Sequence, residues 1–291
     1  MQTFAGTVAF ITGAGSGIGR ALAETLATRR AGGLALADIN PRGLDETAAA
    51  VERLGLAAGV VSRHAFDVTD PAAFEAAAEE ALGAHGAIDI LVNNAGQLAR
   101  MATFLDLEPG EFERSFGVNF WGAVHGSRAL LPHLLTRPEA ALVNVSSAYG
   151  FAATPLQSPY IAGKFALRGF TDALRYELLA SNVHVMCVHP GVVKTNLGAN
   201  APARSEAERQ ANIERQRMTL TTAPRAARRI LAGVERRKAR VVIGADGRLM
   251  DLLGRYAPNR YPEATYPFLR KVEPLIGDAV SSYAAGPGRA R

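Results

Sequence analysis

Short apolar runs alternate with longer amphipathic stretches along most of the chain. Thr7–Thr12 predicts a buried strand, followed by a glycine-rich turn and a helix over Arg20–Arg30. Gly33–Ala37 predicts a second strand, and Pro41 opens a helix running to Leu54, because proline suits the first helical turn. Val60–Phe66 reads as a strand, and Asp70-Pro71 starts a helix to about Gly83. Ile88–Val92 is an apolar strand, followed by one helix over about Pro109–Leu135 and a strand at Ala141–Val145. A helix over about Pro159–Ala180 and a strand at Val183–Val188 complete the alternation. Such a rhythm predicts a parallel sheet covered by helices on both faces.

After Pro190 the rhythm changes. Residues 196–222 are polar and rich in Arg and Glu, and read as a mobile loop or helical flap. Ala223–Lys238 predicts a helix and Arg240–Gly244 a last strand. The remainder carries Leu249–Leu253, then an aromatic, proline-interrupted stretch with Tyr256, Tyr261, Tyr266 and Phe268, and an end at Gly286–Arg291 that reads as frayed. At 48% hydrophobic and 20% charged, the 291 residues exclude a largely disordered chain. No apolar run approaches the roughly 18 residues that span a bilayer. Met1–Ala5 has neither a basic nor a long apolar region, so no secretory signal is expected. Cys187 stands alone, which forbids an intrachain disulfide and fits a reducing, cytoplasmic setting.

Charge is unevenly placed. Residues 1–200 carry 14 Lys/Arg against 18 Asp/Glu, whereas residues 201–291 carry 18 against 9, for a net charge of +5. No zinc spacing or nucleic-acid module accompanies the basic excess, so no nucleic-acid partner is expected. The favoured reading is solvated arginine faces; a membrane- or partner-binding role for residues 223–291 is the less favoured one. The histidines offer no metal-ligand pair, and no metal is expected.

Three groups of residues carry candidate chemistry. Thr12-Gly13-Ala14-Gly15-Ser16-Gly17-Ile18-Gly19 lies between a strand and a helix, where glycines let a pyrophosphate approach a helix N-terminus. Asp38 follows 19 residues after Gly19, at the end of the second strand; a carboxylate there accepts hydrogen bonds from an adenosine ribose and repels a 2′-phosphate. Arg42 is the nearest candidate partner for such a phosphate. Tyr160 and Lys164 stand at i and i+4 on one helix face, with Ser147 at the end of a strand. An ammonium near a phenol favours phenolate and lowers its pKa, which makes Tyr160 a candidate acid/base.

Together these motifs resemble the short-chain dehydrogenase/reductase family. The matching residues are Thr12–Gly19, Asp67-Val68, Asn93-Asn94-Ala95-Gly96, Asn119, Ser147, Tyr160–Lys164 and Pro190-Gly191 with Thr195, in the family's order across residues 7–197. The resemblance implies a Rossmann-like α/β fold with a doubly wound parallel sheet. The expected organisation is a catalytic domain over 1–245, with a substrate cap at 196–222, and a basic, aromatic extension over 246–291 that is not an independent domain. Implied catalytic residues are Asn119, Ser147, Tyr160 and Lys164. Tyr160 is implied as acid/base, Lys164 as its pKa-lowering partner and ribose ligand, Ser147 as the group orienting the substrate oxygen, and Asn119 as holder of a water linking Lys164 to solvent. The implied cofactor contacts are Gly13, Ser16, Gly17, Ile18, Gly19, Asp38, Asp67, Val68, Asn94, Ala95, Gly96, Tyr160, Lys164, Val193 and Thr195. Asp67 and Val68 would border the adenine, and Val193 and Thr195 would hold the nicotinamide carboxamide. Ser146 is the rival for the serine role, but the interval of 13 residues to Tyr160 favours Ser147.

The expected activity interconverts a secondary alcohol and a ketone with a nicotinamide cofactor, NAD before NADP. One alternative is an NADPH-dependent carbonyl reductase in which Arg42 serves the phosphate; another is a nucleotide-sensing protein without catalysis. Leu98, Phe151, Leu156, Val192, Leu197 and Met218 are candidate pocket residues, suggesting an apolar substrate. His189 is expected to pack at a strand end. The helices over 109–135 and 159–180 carry Phe116, Phe120, Trp121, Leu130, Leu131, Phe165, Leu167 and Phe170, and the resemblance implies a homodimer or homotetramer through their outer faces. The sequence departs from the family beyond Arg240–Gly244, where 47 residues replace a short Val-Asp-Gly-Gly-like tail.

Overall fold

The computed structural model describes Met1 and residues 3–203, 205–217, 219–272 and 276–277; Met218 and Gly286–Arg291 lie outside them. Seven strands, β1 (Val8–Thr12), β2 (Gly33–Asp38), β3 (Val61–Ala65), β4 (Ile90–Asn93), β5 (Ala140–Val145), β6 (Val183–Pro190) and β7 (Arg240–Ile243), form one sheet. Its order is β3-β2-β1-β4-β5-β6-β7, and every pairing is parallel. The chain winds from β1 outward to β3, then returns beside β1 to wind the other way. The turning point lies between β1 and β4, where doubly wound sheets leave a crevice at the strands' C-terminal ends.

Helices cover both faces, which explains why β1, β4 and β5 are buried at every position. Alternate strand residues serve opposite faces. Ala9, Ile11, Leu34, Leu36, Ile90 and Val92 share one core with Leu22 and Leu26 of α1 (Gly17–Thr28) and Ile230 and Leu231 of α8 (Ala223–Glu235). Phe10, Ala35, Leu91 and Leu142 share the other with Phe74 of α3 (Pro71–His85), Leu130 of α5 (Gly122–Leu134) and Leu174 of α6 (Ser158–Glu177). Local capping agrees with the sequence signals. Asn40 accepts the Gly43 N–H at the start of α2 (Pro41–Arg53), and Asp70 accepts the N–H groups of Ala72 and Ala73 at the start of α3.

Several expectations need correction. Helix α1 starts at Gly17 rather than Arg20, so Gly17, Ile18 and Gly19 lie in its first turn. Strand β6 runs on to Pro190 because it pairs with β7 there. The single helix expected over 109–135 begins as α4 (Glu111–Phe116), passes through a π turn at Gly117–Trp121 and continues as α5. In that turn Gly122 N–H reaches Gly117 O, while the Asn119 side chain takes the Ser115 carbonyl at 2.8 Å. That carbonyl is the one a regular helix gives to residue 119, so the side chain supplies a local reason for the register change. Residues 196–222, read as a loop or a helical flap, contain a helix, α7 (Glu206–Arg217), in line with the second of these. The tail, for which the sequence analysis assigns no element, forms α9 (Ala245–Tyr256) and α10 (Tyr261–Val272). Helix α9 begins one residue before the expected 245/246 division. Among the described residues, no helix is long and apolar enough to cross a membrane.

Candidate active site

The glycine-rich turn sits where β1 gives way to α1, at the sheet's turning point. Gly13 and Gly17 have φ of +65° and +55°, a region that favours glycine. A Cβ on Gly19 would overlap the Gly13 carbonyl, so that residue must be bare for the turn to close on the helix. The first turn of α1 therefore presents backbone N–H groups at the crevice with no side chains over Gly17 and Gly19. Thr12 Oγ1 accepts the N–H groups of Asn94 and Ala95 at 2.9 and 3.0 Å, and Asn94 Nδ2 donates to Thr12 O at 2.9 Å. The end of β4 is thus latched to the end of β1. Asn94 spends its side-chain amide on this latch.

Asp38 closes the other side. Its Oδ2 accepts the Gly15 N–H at 2.8 Å and its Oδ1 the Asn40 N–H at 2.9 Å. The carboxylate therefore faces the glycine turn, and the cap of α2 is Asn40 instead. Arg42 is exposed and pairs with Glu46 at 3.4 Å. Arg20, which the sequence reading passed over, braces the turn from behind: it donates to Gly15 O at 2.6 Å and to Thr47 Oγ1 at 2.9 Å. Asp67 is exposed beyond β3, where it accepts the Thr69 N–H; Val68 is buried, and a Cβ on Gly122 would press against it at 2.7 Å. Ser16 and Ile18 are half-buried at the start of α1. These residues fit a dinucleotide: a bare helix start, a carboxylate at the tip of β2, and a crevice between β1 and β4.

Ser147, Tyr160, Lys164 and Asn119 converge and are all buried. The Ser147 hydroxyl accepts the Tyr149 N–H at 3.2 Å and lies near enough to the Tyr160 phenol to favour its charged form. Lys164 Nζ donates to Val145 O at 3.0 Å and lies 5.6 Å from the centre of the Tyr160 ring. Gly96 lets Asn119 and Lys164 approach, since a Cβ there would sit 3.1 Å from Asn119 Oδ1 and 3.4 Å from Lys164 Nζ. Asn119 Nδ2 also donates to Gln97 O at 2.7 Å, and its Oδ1 accepts the Gln97 N–H at 3.3 Å. Ser146 donates to Lys164 O at 2.8 Å and is spent on fixing α6.

Burial sets the electrostatics. It pushes the Tyr160 phenol up to about 12, while the neighbouring Ser147 hydroxyl pulls in the opposite direction. It also presses the Lys164 amine down to about 8. Burial, rather than the proximity of Lys164, thus dominates the phenol. The ammonium lies over the Tyr160 ring and spends a donor on Val145 O, and both charged forms lose their water. Lysine 164 has a native pKa below its unfolded value, so between pH 8 and 10 the unfolded chain binds the extra proton. Relative to Lys164→Met, the wild type is expected to gain about 2 kcal/mol of stability as pH rises from 7 to 10. Denaturant unfolding at the two pH values checks this; a difference that does not change with pH refutes it.

His189 is fully buried, and its Nδ1–H donates to Ser147 O at 2.9 Å. Its ring stacks on Phe151 at 4.0 Å, and burial pushes its pKa down to about 3, so it is a neutral prop beneath Ser147. Arg168 and Arg240 also lie over the Phe151 ring, at 5.0 and 5.3 Å from its centre. Its side chain is taken by this packing, which corrects its assignment to the substrate pocket. Leu156 is buried with φ of +69°, Leu98 and Leu197 are half-buried, and Val192 is exposed. Val193 is buried in the core beside α8, leaving its backbone for any cofactor contact. Thr195 lies against the glycine turn, 3.2 Å from where a Gly17 Cβ would be. Among the described residues there is no cluster of three or more potential metal ligands.

The family of short chain dehydrogenases matches residues 7–206. A putative oxidoreductase, SadH, of Mycobacterium tuberculosis is 40% identical over 265 residues, covering 90% of this chain and 94% of that protein. A short chain dehydrogenase/reductase of Burkholderia phymatum, solved in complex with NAD, superposes with a TM-score of 0.76 at 30% identity, covering 83% of this chain and 90% of that one. Levodione reductase superposes with a TM-score of 0.75 at 27% identity, over 85% and 98% of the two chains.

Proposed function

Because the chain belongs to the short-chain dehydrogenase/reductase family of oxidoreductases, we propose that it interconverts a secondary alcohol and a ketone, with NAD preferred over NADP. The observation that carries this reading is the buried Ser147–Tyr160–Lys164 group beside a glycine cradle bordered by Asp38. In the cradle, Gly13, Gly17 and Gly19 leave room for the pyrophosphate, Asp38 receives the adenosine ribose hydroxyls, and Lys164 reaches the nicotinamide ribose. Asp67 and Val68 border the adenine, and Gly96 lies along the cofactor. Bound there, the nicotinamide supplies hydride when reduced and accepts it when oxidised.

The protein's own part is proton handling and orientation. In reduction, Tyr160 gives its proton to the carbonyl oxygen as carbon receives hydride; in oxidation it takes the hydroxyl proton back. Ser147 holds the same oxygen, and His189 fixes the strand end behind Ser147. Lys164 restores the Tyr160 proton, with the Asn119 main chain as the proposed seat of the water beyond it. A panel of secondary alcohols and ketones, followed at the reduced-nicotinamide absorbance with NAD(H) and NADP(H), tests the reading. Turnover of no member with either cofactor overturns it in favour of a nucleotide-sensing protein.

The same family reading supports a homodimer or homotetramer. Trp121 and Phe165 are exposed, and Trp121 continues a row of ring contacts with Phe116, Phe120 and His125. Light scattering at micromolar concentration is expected to give at least twice the chain mass, and a monomer refutes the assembly.

A further inference from the structure

The residues after β7 fold back onto the candidate site. Asp246, in the first turn of α9, accepts the Val192 N–H through Oδ2 at 2.6 Å. Its carboxylate passes so close to Gly191 and Gly244 that a Cβ on either would overlap it. Gly191 N–H donates to Ile243 O at 2.8 Å, Thr219 Oγ1 donates to Val192 O at 2.7 Å, and Lys194 N–H donates to Thr221 O at 2.9 Å. The segment from Gly191 to Thr195 thus hangs from several anchors, and Asp246 is the only one of them that bears a charge. That segment ends at Thr195, against the bare face of Gly17. A second clamp lies farther along: Tyr261 Oη accepts the Ala153 N–H at 2.7 Å, and Gly254 abuts the Phe151 carbonyl, so the loop between Ser147 and Tyr160 also leans on α9 and α10.

We propose that Asp246 is a positioning residue, whose carboxylate fixes the 191–195 backbone so that Val193 and Thr195 meet the nicotinamide end of the cofactor. This rests on the cofactor reading above. A charge-assisted hydrogen bond to one main-chain N–H is strong enough to hold a loop that otherwise has two exposed residues, Val192 and Lys194, on its outer side. The sequence beyond Gly244, which departs from the family's tail, is on this view a working part of the site. The adenosine half of the cleft has bonds of its own, Gly15 N–H to Asp38 and Arg20 to Gly15 O, and meets the 191–195 segment at Thr195 and Gly17.

The test compares two ligands by calorimetry. NAD carries the nicotinamide ring, and ADP-ribose lacks it. Asp246→Ala is expected to weaken NAD binding roughly tenfold, as loss of a charge-assisted hydrogen bond does, and to leave ADP-ribose binding within about twofold. Asp246→Asn, which keeps an acceptor oxygen for Val192, is expected to restore most of the NAD affinity. Where Asp246→Ala proves unstable, Asp246→Ser carries the same two readouts. Equal losses for both ligands indicate a merely structural residue and overturn the proposal, as does no loss for either. Binding of neither NAD nor ADP-ribose by the wild type is a different result: it removes the cofactor reading itself, and this proposal with it.

Discussion

Replacing Tyr160 with phenylalanine is expected to lower turnover by at least the ~10²–10⁴-fold credited to general acid–base catalysis, with folding and cofactor binding kept. The substitution removes one oxygen from a buried ring whose packing is otherwise unchanged, and Ser147 retains its bond from Tyr149 N–H. The cradle that holds the adenosine half lies elsewhere, at Gly13–Gly19 and Asp38. Because burial keeps the phenol protonated well past neutrality, the residue is poised as a proton donor, and oxidation needs its deprotonated form. The wild-type rate of alcohol oxidation should therefore rise between pH 7 and 9, and the rise should be absent in Tyr160→Phe. Steady-state rates across that range, with calorimetric NAD binding as the control, decide the matter. A variant that binds NAD normally and keeps its turnover within tenfold of wild type would sink the acid/base assignment.

The second large effect concerns cofactor choice. Asp38 combines two tasks, a negative charge toward the ribose and an acceptor for the N–H groups of Gly15 and Asn40. Truncation to alanine would loosen the glycine turn as well as remove the charge. Asp38→Asn keeps a carbonyl oxygen for Gly15 and separates the two. Ile39 is 69% exposed, so an arginine there displaces no packing. The double variant Asp38→Asn, Ile39→Arg should move preference toward NADP by about 1–3 kcal/mol, roughly 5- to 150-fold in relative kcat/KM. The wild type should favour NAD. If kcat/KM is instead larger with NADP in the wild type, the Asp38 argument fails, and Arg42 must leave Glu46 to serve the phosphate.

The periodic features were legible in the sequence because their causes are local. Short, largely apolar runs mark β1, β2, β4, β5 and β6, since each is squeezed between two helical layers. The glycine spacing marks the turn, since only bare residues let Gly19 close on the Gly13 carbonyl. The four-residue interval marks Tyr160 and Lys164 as neighbours on α6. Ser147 could be preferred over Ser146 by spacing, and the structure shows Ser146 spent on the Lys164 carbonyl. Where local signals were weak, the reading stopped short. In α10, Pro262 and Pro267 read as breaks in the sequence, whereas in α9 Leu249, Leu252, Leu253 and Tyr256 stand at helical spacing.

Other features belong to the tertiary structure alone. The π turn at Gly117–Trp121 arises because Asn119 reaches Ser115 and Gln97 together, and Gln97 stands 22 residues away. Phe151 looked like a pocket residue, yet it is held by His189, Arg168 and Arg240, which come from three different elements. Asp246 meets Val192 across 54 residues, with no repeat or spacing to announce it. The protonation of the site is decided at the same level. The sequence placed an ammonium one helical turn from a phenol and so pointed to a lowered phenol pKa. Only the folded chain determines how much water each group loses, and here burial of both outweighs their proximity, raising Tyr160 and lowering Lys164.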